Sequence, residues 1–254
     1  MRLAALYDIH GNLPALEAVL PEVRAEGVDL IVVGGDVVAG PLPVETLARL
    51  QAECASMPVQ FIRGNAESEL LRCVAGQAIG GLSEWANDEA RWLAAYLPAN
   101  LLQFIAEWPA TLTYEIEGET VLFCHATPHN DIDVFTRLTP DEKLRPIFEG
   151  LDASLVVCGH THMQFERTVG QVRIVNAGSV GMPFGHTGVD WLLFDGAVQL
   201  RHTEYDLSEA AKRIQQSDYP QAESFAANNV LQAPAETAAM AMLANLEARQ
   251  AWWR

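Results

Sequence analysis

Five short apolar runs, each ending abruptly in a polar group, constrain this chain more than any other feature of its sequence. Residues 3–7 end in Asp8-Ile9-His10, residues 30–33 in Gly34-Gly35-Asp36, and residues 59–62 in Arg63-Gly64-Asn65. Residues 121–124 end in His125, and residues 155–158 in Gly159-His160-Thr161-His162. Runs of this length bounded by glycine and polar residues read as buried strands. Between the first three lie helical stretches. Asn12 is placed to cap a helix reaching about residue 26, with Pro14 tolerated in its first turn, and a second helix spans 44–53. The βαβαβ rhythm predicts a parallel sheet in an α/β layer architecture. Ligands of such sheets bind beyond the carboxyl ends of the strands, so all five polar groups can gather on one rim.

The rest of the chain follows the same alternation. Residues 67–107 read as a helical insertion, a candidate lid, with helix starts at Asn87-Asp88 and Pro98. Strands at 111–116 and 120–124 flank a turn at Gly118. Thr139-Pro140-Asp141-Glu142 has capping-box spacing and Gly150 is a helix stop. Hairpins are expected around Gly170 and around Asp195-Gly196. No glycine follows residue 196. Asp206-x-x-Glu209 opens a helix, and Pro220 and Pro234 divide the tail. Ala239, Met242, Leu243 and Leu246 then share one helical face, which packs either on its own domain or on the second copy of a homodimer. The expected organisation is one domain over 1–205 and a helical extension over 206–254.

Composition narrows the function. Half of the 254 residues are apolar and 19% are charged, enough for a sizeable core. No apolar run is long enough for a membrane span. The N-terminus lacks the basic start and long apolar segment of a signal peptide, so the chain reads as cytoplasmic. With 33 acidic and 16 basic residues the formal charge is −17. That field repels duplex nucleic acid, and a small anion is accepted only where something local, such as bound metal ions, reverses the sign. Cys54, Cys73, Cys124 and Cys158 form no CxxC pair, and the last two sit in apolar runs as buried thiols.

The strand-end groups carry the chemistry of a metal site. Asp8, His10, Asp36, Asn65, His125, His160 and His162 supply four imidazoles, two carboxylates and an amide carbonyl. Seven donors are too many for one first-row ion and suit two that share a carboxylate. In Asp8-x-His10 and His160-x-His162, residues two apart share a side if the chain is extended there.

In this order, DxH, GD, GN, H and GHxH resemble the calcineurin-like metallophosphoesterase superfamily. Asp8-Ile9-His10-Gly11-Asn12 and Asn176-Ala177-Gly178-Ser179-Val180-Gly181 are most similar to its small bacterial and archaeal YfcE-type branch. The resemblance spans residues 1–205 and implies a four-layer αββα sandwich with a dinuclear centre at the sheet edge. It implies that Asp8, His10 and His162 hold one ion, that Asn65, His125 and His160 hold the other, and that Asp36 bridges them. Two divalent transition-metal ions are implied (Mn, Fe, Zn, Co or Ni, manganese foremost), with a bridging hydroxide attacking phosphorus in line.

One position departs from the family. Where much of the superfamily reads GNH, with a histidine thought to protonate the leaving group, this chain has Gly64-Asn65-Ala66-Glu67. Losing a general acid costs about 10²–10⁴-fold, most for poor leaving groups. Diesters are therefore the favoured substrates, nucleotide-type molecules among them. A phosphomonoesterase or protein phosphatase is the alternative within enzymes, and a catalytically weak protein-binding module the alternative outside them. His129 is a candidate phosphate contact or proton donor, or a loop histidine. Arg63 is a candidate anion contact, or the partner of Glu67 or another acid. His186 is a weaker candidate of the same kind, and Asn12 is a helix cap or a substrate contact. Trp85, Trp92 and Trp108 pack the insertion, or one of them stacks on a base.

Overall fold

The computed structural model describes residues 1–250. Two mixed sheets of five strands stack face to face, with helices against their outer sides. The first sheet joins β1 (Leu3–Leu6), β2 (Leu30–Val33) and β3 (Val59–Phe61) in parallel. The second joins β5 (Glu119–Cys124) and β6 (Leu155–Cys158) in parallel. This is the expected αββα sandwich.

The strands are apolar throughout because both of their faces are covered. Leu3, Ala5 and Tyr7 meet Val121, Phe123, Leu155 and Val157 between the sheets. Their neighbours Ala4 and Leu6 face the other way, onto Ala15, Leu16 and Val19 of α1 (Leu13–Ala25) and Leu47 and Leu50 of α2 (Pro43–Cys54). On the far side, Val156 and Cys158 pack against Leu144, Ile147 and Phe148 of α6 (Asp141–Phe148).

Neither sheet is purely parallel. β4 (Thr111–Ile116) pairs antiparallel with β5, and β7 (Phe165–Val169) with β8 (Val172–Asn176). β9 (Val189–Phe194) runs antiparallel to both β1 and β10 (Val198–Thr203). Both expected hairpins are present, and the strands flanking the Gly118 turn also pair.

Two helix starts differ from expectation. The insertion holds α3 (Asn65–Val74), α4 (Glu84–Tyr96) and α5 (Ala99–Ala106). α4 begins before Asn87-Asp88, because Ser83 caps it by accepting the N–H of Ala86. The Thr139 hydroxyl does not cap α6. It accepts the N–H of Thr136 and donates to Glu247, 108 residues away, and this tertiary partner outcompetes the local one.

Beyond the sandwich, Asp206 caps α7 (Leu207–Gln215) through the N–H of Glu209. A short helix, α8 (Ala222–Phe225), runs into a wide turn over 226–230. α9 (Glu236–Arg249) buries Ala239 and Leu243 against Val134 and Met163 of its own chain, while Met242 is exposed. Residues 251–254 of the expected extension lie outside the described residues. Among the described residues no helix is long and apolar enough to cross a membrane.

Candidate metal centre

Every one of the five strand-end groups arrives at the same rim. Asp8, His10 and His162 form one group of donors, and Asp36, His125 and His160 form another. Within each, the donor atoms lie within 4.8 Å of one another. All six side chains are buried. Asn65 completes the second group, its amide head facing His125 Nε2 at 3.1 Å and His160 Nδ1 at 2.9 Å. Asp36 stands between the groups, with Oδ2 at 3.9 Å from His10 Nε2 and Oδ1 at 3.5 Å from His125 Nε2.

The chain reaches this arrangement by a route the residue spacing does not suggest. Asp8, His10, Asp36, His160 and His162 all have φ between 50° and 68°, a left-handed conformation rare for residues with a Cβ. The pairs therefore do not meet because the backbone is extended. Each strand instead turns sharply as it leaves the sheet, and Asp8-x-His10 serves one group while His160 and His162 divide between two. Backbone hydrogen bonds hold the turns: Asp8 N–H to Gly35 C=O at 3.1 Å and His10 N–H to Asp36 C=O at 2.8 Å. Gly64 admits the carboxylate, since a Cβ there would lie 2.2 Å from Asp36 Oδ1.

Each imidazole is oriented from behind. The Nδ1 atoms of His10, His125 and His162 contact the carbonyls of Ala39 at 2.8 Å, Gly34 at 2.9 Å and Met182 at 2.9 Å. His160 uses its Nε2 on the Ile132 carbonyl at 3.2 Å. A ring nitrogen that donates outward leaves the other as a lone pair facing inward, the usual way metal-binding histidines are set. Burial pushes His10 below its ordinary value and His160 down to about 4, keeping both neutral. Against the same burial, the Asp36 carboxylate raises His125 to about 10.

One observation shows that this donor set fits divalent cations. Asp8 Oδ1 is buried with no hydrogen-bond partner, although His162 Nε2 lies 3.4 Å away and His125 Nε2 3.8 Å. Inward-facing lone pairs of imidazoles and carboxylates repel one another unless a proton or cation lies between them.

Glu67 supports the centre and was not singled out as part of it in the sequence. Its carboxylate accepts the N–H groups of Asp36 and Val37 at 2.8 Å, Gly64 at 2.9 Å and Val38 at 3.2 Å. The signal was its position in the first turn of a helix that follows the glycine. Those bonds occupy both oxygens, so Arg63 is not its partner; the Arg63 Nε is buried without a hydrogen bond.

A cleft of about 410 Å³ opens over the centre. His10, Asp36, Asn65, His160 and His162 form its floor. Leu82, Trp85, Ala90 and Leu93 stand on one side, and Val134, Met182, Phe184 and Leu243 on the other. Ala66 also lines it, so the place of the missing histidine is open space beside Glu69 and Glu89. Glu89 Oε1 accepts a 2.5 Å hydrogen bond from the Tyr219 hydroxyl, and burial raises its carboxyl to about 7.

Other candidates lie elsewhere. His129 is exposed, on a turn closed by Thr127 N–H and Asn130 C=O, and neither it nor Arg63 is among the residues lining the cleft. His186 contacts Asp190 at 2.9 Å. Asn12 caps α1 through Ala15 N–H and also donates to the Gly181 carbonyl. Trp92 stacks on Tyr96 and Trp108 on Phe61, whereas Trp85 faces the cleft.

A rim of imidazoles and carboxylates on an αββα sandwich defines a metallophosphoesterase, and residues 1–196 match the calcineurin-like phosphoesterase superfamily domain; the chain belongs to that superfamily. Its relatives include the uncharacterized protein MJ0912 of Methanocaldococcus jannaschii, 25% identical over a 240-residue alignment that covers 86% of this chain and 94% of that one. Among solved structures, hypothetical protein PH1004 from Pyrococcus horikoshii OT3 aligns with a TM-score of 0.74 at 18% identity, over 89% of this chain and 97% of its own. A metallophosphoesterase from Sphaerobacter thermophilus aligns with a TM-score of 0.67 at 24% identity, over 91% of this chain and 100% of its own.

Proposed function

We infer that the protein is a dinuclear metal-dependent phosphodiesterase whose substrates carry an apolar arm. The observation that carries this reading is the junction of the two parts of the site: a floor of metal donors under a cleft with apolar walls. Asp8, His10 and His162 would hold one ion and Asn65, His125 and His160 the other, with Asp36 shared because its two oxygens face opposite groups. When bound, the ions supply positive charge for the phosphate and an activated water, with manganese the favoured metal.

The chain's own residues shape the rest. The apolar walls favour an aryl or alkyl substituent over a polyphosphate, which the Glu69 carboxylate would repel. A nucleobase fits the same wall, with Trp85 as its stacking face. With alanine at 66, and with His129 and Arg63 away from the cleft, the proton for a leaving oxygen falls to Glu89. Its Oε1 is tied to Tyr219, leaving Oε2 to hold the proton near neutral pH.

Hydrolysis of bis(p-nitrophenyl) phosphate with Mn²⁺ tests the reading. Wild type is expected to turn over the diester with a higher kcat/KM than p-nitrophenyl phosphate. Asp36→Ala and His160→Ala are expected to lose at least about 10²-fold. Variants that match wild type would show that the chemistry occurs elsewhere.

A further inference from the structure

Away from the cleft, a second kind of donor cluster lies on the first sheet. We propose that His186, Asp190 and His202 form a separate binding site for a divalent transition-metal ion, zinc in particular, which clamps the loop over 181–188 to the β9–β10 hairpin.

The three donors are already gathered. His186 Nε2 lies 2.9 Å from Asp190 Oδ1 and 3.1 Å from Oδ2, and His202 Nδ1 lies 2.9 Å from the same Oδ1. All three donor atoms fall within 4.8 Å of one another. The rings approach edge to face, with centroids 4.8 Å apart, so that both direct a nitrogen at one oxygen. Zinc bonds of about 2.0–2.1 Å at tetrahedral angles place neighbouring donors about 3.3 Å apart. The two nitrogen–oxygen pairs need to open by only a few tenths of an ångström, and both imidazoles are partly exposed, which lets them move. Solvent access leaves the fourth position for water, and an N,N,O donor set suits zinc among the common divalent ions.

The surroundings are built to keep these donors in place. Asp190 and His202 are direct cross-strand partners, while His186 lies four residues before Asp190 across the loop. The Asp190 side chain is completely buried, and a buried carboxylate is costly unless fully compensated. The imidazoles contact it through ring nitrogens, and a dication shared by all three groups would add compensating charge. Two glycines in left-handed conformations clear the space. A Cβ at Gly178 would lie 2.8 Å from Asp190 Oδ2, and one at Gly188 would lie 2.5 Å from His202 Nε2.

The site also stands one step behind the metal centre. The Asp190 N–H donates to the Ser179 carbonyl. The Ser179 hydroxyl donates to the Asp8 carbonyl and accepts the Met182 N–H, and the Met182 carbonyl contacts His162 Nδ1. A cation at Asp190 therefore stiffens the loop that orients His162.

The test is metal content of the full chain. Protein stripped with a chelator is reloaded with a small excess of Zn²⁺, passed through a desalting column and analysed for metal, for wild type, His186→Ala and His202→Ala. Wild type is expected to retain one more ion per chain than either variant, and Zn²⁺ is expected to raise its Tm further. The result is read as a difference of one ion, so it stands whatever the stoichiometry of the centre. Equal retention in all three proteins overturns the proposal, as does a wild-type ion lost on desalting, which would mean an adventitious histidine pair only. The two variants alter different exposed side chains, so failure of one to fold leaves the other to decide.

Discussion

Asp8, His10, Asp36, His160 and His162 hold a backbone conformation that costs about 1–3 kcal/mol for each residue with a Cβ. The surrounding hydrogen bonds must over-determine it, and Glu67 does most of this for Asp36. Glu67→Ala would leave four N–H donors without their carboxylate, at about 1–3 kcal/mol for each one that stays buried. A loss of at least about 3 kcal/mol in urea unfolding is the expected outcome, with Glu67→Gln losing less. Glu117 shares the left-handed conformation, at φ 54°, but in the turn between β4 and β5. Asparagine adopts it more readily, so Glu117→Asn should gain about 0.5–1 kcal/mol in the same measurement. Glu89 supplies the pH dependence. Its folded value of about 7 lies above the ordinary 4.5, so the folded chain keeps a proton that the unfolded chain loses first. The resulting penalty is absent below pH 4.5, grows as pH rises to 7 and stays constant above. Glu89→Gln keeps an acceptor for Tyr219 and removes the penalty. Its stability should equal that of wild type at pH 4 and exceed it at pH 8, by up to about 3 kcal/mol.

At the scale of elements, the strand ends were legible because each carries its own signal: an apolar run, then glycine, then a donor. Seven candidate donors could be named from the sequence on that basis, and the structure brings their side chains to one rim. The turns that deliver them could not be read, since nothing local marks Asp8 or His160 as left-handed. Thr139 shows the same limit. Its spacing suits a cap, but Glu247 of α9 takes its hydroxyl. The cleft was hidden for a related reason. Its walls join α4, the segment around Val134 and α9, which meet only after folding, and Leu243 shows helical periodicity without showing what it faces. Met242 belongs to this wall and is 46% exposed, so Met242→Asp should leave stability unchanged. It should lower kcat/KM about 10-fold for p-nitrophenyl diesters with a long alkyl arm, equivalent to about 1.4 kcal/mol of lost apolar contact, and leave the methyl diester unaffected.

The whole molecule carries a formal charge of −17, yet its one family-defining rim is arranged to receive an anion. Cations at that rim would reconcile these facts, because His10 and His160, held neutral by burial, add no charge of their own against the field of the chain. The sandwich makes the arrangement by bringing parallel strands from both sheets to a common edge, and under the proposed function the apolar cleft above would select which esters reach it. Anomalous scattering from crystals grown with Mn²⁺ tests this most directly. The account predicts two manganese peaks about 3.5–4 Å apart, one against Asp8, His10 and His162 and one against Asn65, His125 and His160, with Asp36 touching both. A map with no manganese among these residues, in crystals soaked to saturation, would contradict it.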